Sequence, residues 1–494
     1  MNRFLFIVFA LLCVVPIQSR AADDPAVLVI ILDGLRPDYV TPEIMPTLNA
    51  LAEEGVFAEN HHAAIPTVTR VNSPSLATGT YPSTHGLMGN SVYFPEIDPA
   101  KGLSTSSSGS LMNIEKETGG NLLTTITMGE HLEALGKEIF VVSSGSAGSA
   151  YLLNHKGKGR GIVHRGVILP ESRRDEVMNT LGPVPEDAAP NEGRNAWAVD
   201  SFFMEIDQNG LPDLTYMWLS DPDHTAHEKG IGAPETLRAL KLVDLEIARI
   251  LETITDAGLK DRLNILVTAD HGFSTHSTGT SLSRILKRNK LDKDVVIVGG
   301  AVYLRSGNKK QIASMVAAFQ NDPAIGAIFT RADSPGSEHG WVEGTLSHDL
   351  IHWNHERAGD ILVTANWSHA KNKYGYAGTT SLSGVAGHGT LSPYDIHATL
   401  IANGPAFKSA KRSQAPTANV DIAPTVCRIL GIPSPEQVDG RVLEELLRNL
   451  PDTPANTVRT NTYRVSKDGY SLQLRTSSVG EHRYIDHASV TRQP

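Results

Sequence analysis

The stretch "AVLVIILDG", residues 26–34, runs seven apolar residues straight into an Asp-Gly pair. A strand buried on both faces has this composition, whereas a strand with one wet face alternates apolar and polar residues. Similar runs recur at "EIFVVSS" (138–144), "LTYMWLS" (214–220) and "LNILVTA" (263–269). Between them lie helical patterns. "TMGEHLEALGKE" (127–138) breaks at a Gly before the second strand. "PETLRALKLVDLEIARILETITDAG" (234–258) carries Leu237, Leu240, Val243, Ile247, Ile250, Leu251 and Ile254 on one face, with Gly258 as its stop. Alternating strands and helices predict an α/β fold: a doubly wound, mostly parallel sheet with helices on both faces.

Outward from this core (22–280), the pattern changes to short strands at "VVIVGGAVYLR", "AIGAIFTR" and "GDILVTA", around a helix at "KKQIASMVAAFQ". Residues 281–383 are therefore expected to form a smaller inserted α+β cap subdomain. The core pattern resumes over 384–450, and 451–494 alternates as a C-terminal β-hairpin extension. The Ser-rich 104–110 and the "HKGKGRG" at 155–161 are expected to be surface loops.

The N-terminus, "MNRFLFIVFALLCVVPIQSRA", has a basic Arg3, an apolar run from Phe4 to Val15 and small residues at Ser19 and Ala21. This is the pattern of a secretory signal peptide over 1–21, cleaved after Ala21, and it predicts a periplasmic or secreted protein. An uncleaved anchor is the alternative, but the run is shorter than the roughly 20 residues of a span. With 44 Lys and Arg against 54 Asp and Glu the net charge is -10, and loss of Arg3 and Arg20 makes it -12. So acidic a chain gives no electrostatic case for binding nucleic acid or a membrane surface. Cys13 lies in the leader, so Cys427 would be the only thiol of the mature chain and no internal disulfide is expected.

Ligands of such sheets bind outside the carboxyl ends of the strands, so polar residues just after apolar runs carry the chemistry. Three runs end this way: in Asp33, in Asp221 and Asp223, and in Asp270 followed by His271. Carboxylates converging on one edge repel unless cations sit among them. Taken singly, each is better explained as a loop-starting or helix-capping Asp. Asp223 and His227 stand four apart and would share a face if Pro222 opens a helical turn. His388, in "VAGHGTLS", lies between two Gly where backbone can approach a ligand. Carboxylate and imidazole ligands without thiolate suit a catalytic zinc.

A hydroxyl-rich stretch, "IPTVTRVNSPSLATGTYPSTHGL" (65–87), offers several nucleophiles. Ser73 followed by Pro74 reads as an N-cap with Pro at the first helical position, which sets Thr69 just ahead of a helix N-terminus. His61, His62 and His85 are expected to be structural.

In order, "LDG", "PTVTRVN", "PDHTAH", "ADHG" and "GHG" resemble the type I phosphodiesterase/nucleotide pyrophosphatase branch of the alkaline phosphatase superfamily, over nearly the whole mature chain. The resemblance implies two zinc ions. Asp223, His227 and His388 would hold one, and Asp33, Asp270 and His271 the other, with the Thr69 hydroxyl as its further ligand. It implies Thr69 rather than Thr67 as nucleophile, a phosphothreonine intermediate, and Asn72 as a contact to a non-bridging phosphate oxygen. Zinc coordination would activate so weakly acidic a hydroxyl without a general base.

This sequence departs from the family pattern at Arg70 and Val71, where an aromatic and a Pro are usual, and at Ala226, usually Gly. The stretch around Thr69 also resembles phosphonoacetate hydrolases. Arg70 is either a solvated turn residue or a fixed charge in the site; the second would favour a more highly charged monoester or a carboxylate-bearing substrate. The expected function is hydrolysis of small phosphodiester or pyrophosphate substrates, nucleotide-type. The alternatives are a phosphonate or phosphomonoester hydrolase, and a non-catalytic binding protein on the same frame. Substrate identity is expected to lie in the 281–383 insertion and in loops 88–125 and 145–195.

Overall fold

Strand β1 (Ala26–Leu32) is buried along its whole length, and its side chains alternate between two cores. Leu28, Ile30 and Leu32 pack into one, Val27, Val29 and Ile31 into the other. The continuous apolar run has that cause: both faces of this strand are covered. In the computed structural model, which describes residues 24–453 and 457–493, β1 lies at the centre of a nine-stranded sheet. The signal peptide read at 1–21 lies outside the described residues.

The middle of the sheet is parallel. Strands β2 (Ile139–Ser143), β3 (Gly161–His164), β4 (Leu214–Leu219) and β5 (Leu263–Thr268) join β1 in the order β5-β1-β4-β2-β3. Leu400–Asn403 pairs antiparallel with β5, and Val167–Leu169 closes the other side antiparallel to β3. The fold is α/β, a mostly parallel central sheet buried on both faces. The register brings the carboxyl ends of three strands level, with Leu32 opposite Leu219 and Ile31 opposite Thr268.

Three helices concern the site: α1 (Thr69–Thr78), α2 (Asp223–Lys229) and α3 (Pro234–Asp256). On α3 the predicted face is the buried one, with Leu240, Val243, Ile247, Ile250 and Ile254 inside and Leu237 and Leu251 at its margin. The helix stops at Gly258, whose φ is 67°, and Leu259 N–H closes back on the Ile254 carbonyl over 2.9 Å. That is a left-handed C-terminal cap, which glycine adopts at least cost.

Between residues 295 and 365 the chain builds a five-stranded sheet, with helices Leu282–Arg288 and Lys309–Gln320 in the same apolar cluster. The returning segments Trp367–Lys371 and Ala377–Thr380 leave it and pair with each other, and Ala377–Thr380 pairs with Ser274–His276, which also pairs with Ala386–Gly387. This small sheet ties the segment carrying His388 to the turn after β5.

The C-terminal extension is a three-stranded antiparallel meander (Val458–Lys467, Tyr470–Val479, His482–Arg492), where a two-stranded hairpin was expected. The third strand supplies Ile485 and Ala488, which bury beside Tyr470, Leu472 and Leu474. Cys427 is free and buried, and burial pushes its thiol up to about 12. Among the described residues no helix is long and apolar enough to cross a membrane.

Candidate active site

Backbone hydrogen bonds lock the three strand ends together. Asp33 N–H donates to the Leu219 carbonyl, Asp223 N–H to the Asp33 carbonyl, and Gly34 N–H to Asp270 Oδ1, each over 3.0 Å. The side chains then meet in two groups, Asp223 with His227 and His388, and Asp33 with Asp270 and His271, the candidate ligand atoms of each lying within 4.8 Å of one another. Asp223 and His227 are one turn apart on α2, which Pro222 opens. Asp221, equally a strand-end carboxylate, is spent on structure: it accepts from Asn191 N, Asn195 Nδ2, Thr225 N and Thr225 Oγ1.

The geometry fits cations. Asp33 Oδ1, Asp223 Oδ1 and Asp270 Oδ2 are buried and have no hydrogen-bond partner among the described residues. Each faces an imidazole Nε2 instead: His227 and His388 lie 3.3 and 3.4 Å from Asp223 Oδ1, and His271 lies 3.0 Å from Asp270 Oδ2 and 3.7 Å from Asp33 Oδ1. All three rings have Nδ1 on a backbone carbonyl: His227 on Ala386, His271 on Gly272, His388 on Thr67. A carbonyl accepts only, so Nδ1 carries a proton, and in the neutral ring Nε2 presents a lone pair. Two lone pairs cannot satisfy each other; a metal ion between them satisfies both. Burial, then Asp270 and Asp223, push the Asp33 carboxyl well above its ordinary range. Burial acts the same way on Asp223, but His227 and His388 hold it well below.

Thr69 opens α1, and its hydroxyl lies 3.4 Å from His271 Nε2. Thr67 is committed elsewhere: its hydroxyl donates to the Thr390 carbonyl and accepts from Gly389 N–H, and its carbonyl takes the His388 proton. The helix begins at Thr69, five residues earlier than Ser73-Pro74 suggested. Ser73 Oγ donates to the Ser149 carbonyl and caps nothing, and Pro74 sits inside α1, forgoing one intrahelical bond to the Arg70 carbonyl.

Asn72 is not free to touch a phosphate. It is fully buried; Oδ1 accepts from Ala64 N and Asn419 Nδ2, and Nδ2 donates to the Ala64 and Val68 carbonyls. The side-chain amide next to Thr69 belongs to Asn90, whose Oδ1 accepts Arg70 N–H over 2.9 Å. Arg70, of its two expected places, takes the inner one. With Thr69, Asp33 and Asp223 it lines a cavity of about 230 Å³, and its Nε donates to Thr105 Oγ1 over 3.2 Å. Burial lowers its affinity for its proton, and Asp33, Asp223 and Asp270 oppose that shift.

His61, His62 and His85 are structural. His61 spans Thr417 and Asn419, His62 spans the Thr417 carbonyl and Asp486, and His85 meets Ser75 and Leu87 N–H. Ala226 is buried on α2. Trp218, one residue before the end of β4, donates to Asp33 Oδ2 over 2.9 Å. Nothing in the local sequence marks Trp218, Asn90, Arg165 or Arg194 as neighbours of the site. None of the cavity's lining comes from 281–383.

Residues 27–387 match the model of the family described as type I phosphodiesterase / nucleotide pyrophosphatase, and the chain belongs to that family. Among curated relatives, it is 24% identical over 448 residues to rat ectonucleotide pyrophosphatase/phosphodiesterase family member 1, covering 88% of this chain and 44% of the relative. It is 23% identical over 433 residues to venom phosphodiesterase of Macrovipera lebetinus, covering 85% and 44%. The chain thus spans about half the length of the curated relatives it matches. Among solved structures, murine ectonucleotide pyrophosphatase/phosphodiesterase 5, an inactive form in complex with AMP, superposes with a TM-score of 0.62 at 18% identity, over 86% of this chain and all (100%) of that one. Wild-type alkaline phosphatase PafA superposes with a TM-score of 0.65 at 17% identity, over 87% and 100%.

Proposed function

We propose that the protein is a zinc-dependent hydrolase of phosphodiester or pyrophosphate bonds that works through a covalent phosphothreonine at Thr69. The observation that carries this reading is the Thr69 hydroxyl, 3.4 Å from His271 Nε2, on a residue that lines one cavity with Asp33 and Asp223. Asp223, His227 and His388 would hold one zinc ion, and Asp33, Asp270 and His271 a second that also meets Thr69. Bound there, the ions would neutralise the crowded carboxylates, acidify the threonine hydroxyl and a water, and offset charge on the leaving oxygen.

The chain's own residues do the rest. Thr69 attacks phosphorus in line with the leaving oxygen, so that one P–O bond forms as the ester or anhydride bond breaks; water then displaces Thr69. Its place on the first turn of α1 turns the positive end of the helix toward the phosphoryl group. Asn90 takes the role expected of Asn72: its Oδ1 is anchored on Arg70 N–H, and its Nδ2, with no partner among the described residues, can donate to a phosphate oxygen. Arg70 in the cavity favours a second reading, a phosphonate or phosphomonoester hydrolase on the same residues. A leader-like N-terminus, together with relatives named as venom and ectonucleotide enzymes, supports a periplasmic or secreted location.

One panel decides between the readings: zinc-loaded protein on bis-p-nitrophenyl phosphate, a nucleotide p-nitrophenyl ester, p-nitrophenyl phosphate and phosphonoacetate. Diesters turned over faster than the monoester support the leading reading; phosphonoacetate as the only substrate overturns it.

A further inference from the structure

The cavity beside Thr69 has a second charged wall. Arg165 stands at the tip of the turn between β3 and Val167–Leu169, Arg194 on the helix Glu192–Asn209, and both line the same space as Arg70. Three separate elements thus deliver a guanidinium to one cavity of about 230 Å³. Each is held by its base or its backbone. Arg70 Nε is on Thr105 Oγ1, and Arg194 Nε is on the Pro185 carbonyl over 3.0 Å with one Nη on Asp187. The Arg165 turn is fastened by buried His164, whose Nε2 donates to the Gly145 carbonyl over 2.9 Å while Nδ1 accepts Gly166 N–H. Arg165 itself is exposed and has no partner among the described residues. Asp187 opposes the three cations, and Asp33 and Asp223 belong to the candidate metal groups.

Free Nη donors on guanidiniums match planar, multiply anionic oxygens. The same lining contains no Phe, Tyr or Trp, its one ring being the small imidazole of His224, and its volume falls below the roughly 300–1,000 Å³ of cavities that enclose drug-sized ligands. We propose that Arg70, Arg165 and Arg194 form a second anion subsite that selects small substrates carrying a phosphoryl, phosphonyl or carboxylate group beside the phosphorus attacked by Thr69. The inference rests on the hydrolase reading, because Thr69 fixes where the first phosphoryl group lies.

The test measures binding to zinc-loaded Thr69→Ala protein by calorimetry, with methylenediphosphonate, phosphonoacetate and methylphosphonate as probes. Diphosphonates also chelate zinc, so the deciding comparison is between arginine variants. The doubly anionic probes should bind at least about tenfold tighter than methylphosphonate, and Arg165→Gln and Arg194→Lys should each close most of that gap. Exposed Arg459→Gln should leave it open. Methylenediphosphonate and phosphonoacetate tell a phosphonyl partner from a carboxylate one. A gap that survives both cavity variants overturns the subsite, as does an equal weakening of all three probes. Arginine-dependent selectivity in a protein whose wild type hydrolyses no phosphate ester would leave the subsite standing and remove the hydrolase. Hydrolysis lost with Thr69→Ala, with the gap indifferent to the arginines, would do the reverse.

Discussion

Trp218 Nε1 donates to Asp33 Oδ2 over 2.9 Å, and both residues are buried. The bond fixes the outer carboxylate oxygen so that the inner one, Oδ1, faces His271. Partners of this kind orient metal ligands, and their loss commonly costs 10- to 100-fold in metal affinity. Trp218→Phe should keep the fold and lower affinity for one zinc ion by about that factor, read by competition with a chromophoric chelator. Unaltered affinity would show that Asp33 needs no such anchor.

The two ligand groups predict separable metals. His388→Ala removes a ligand of only one group, so metal analysis of purified protein should fall from two zinc ions per chain toward one, with loss of most diesterase activity. Retention of both ions at wild-type affinity would place His388 outside the metal site.

Asn72 and Asn90 should fail differently. Asn72→Ala strands the Ala64 N–H and carbonyl it now satisfies, at about 1–3 kcal/mol for each buried polar group left unpaired. Its signature is a lower urea midpoint. Asn90→Ala should leave the midpoint near wild type and lower kcat by about 10². Reversed phenotypes would restore the role first read for Asn72.

These two residues also show what the sequence could and could not disclose. Four strands announced themselves because burial on both faces writes an unbroken apolar run, as in β1. The strand-end carboxylates and the four-residue spacing of Asp223 and His227 follow from local geometry. His388 between two Gly and Thr69 near a helix start had weaker local signals, and the ordered family motifs singled them out. Ser73-Pro74 misled because a proline usually sits at a helix start, and here the helix tolerates it inside. Trp218, Asn90, Arg165 and Arg194 reach the site from separate elements, a relation that no spacing along the chain encodes.

Buried histidines make stability sensitive to acid. Burial depresses both His61 and His85 to about 3. The unfolded value is about 6.5, so between these limits the unfolded chain binds more protons, and stability rises with pH and falls on acidification. Each such histidine contributes up to about 1.4 kcal/mol per pH unit in that window. In urea titrations between about pH 6 and pH 4, His85→Gln should show a shallower pH slope than wild type. An identical slope would mean that His85 is protonated in the folded protein.

The central claim is that Thr69 is the attacking group. Its most direct test is to quench zinc-loaded enzyme in acid during steady turnover of bis-p-nitrophenyl phosphate, which loses one p-nitrophenolate to the attack, and to locate the p-nitrophenylphosphoryl group that stays on the protein by peptide mass spectrometry. That group on Thr69, absent without substrate and moved to the serine in Thr69→Ser protein, is the predicted result. Continued turnover by Thr69→Ala, or the group on any other residue, would contradict it.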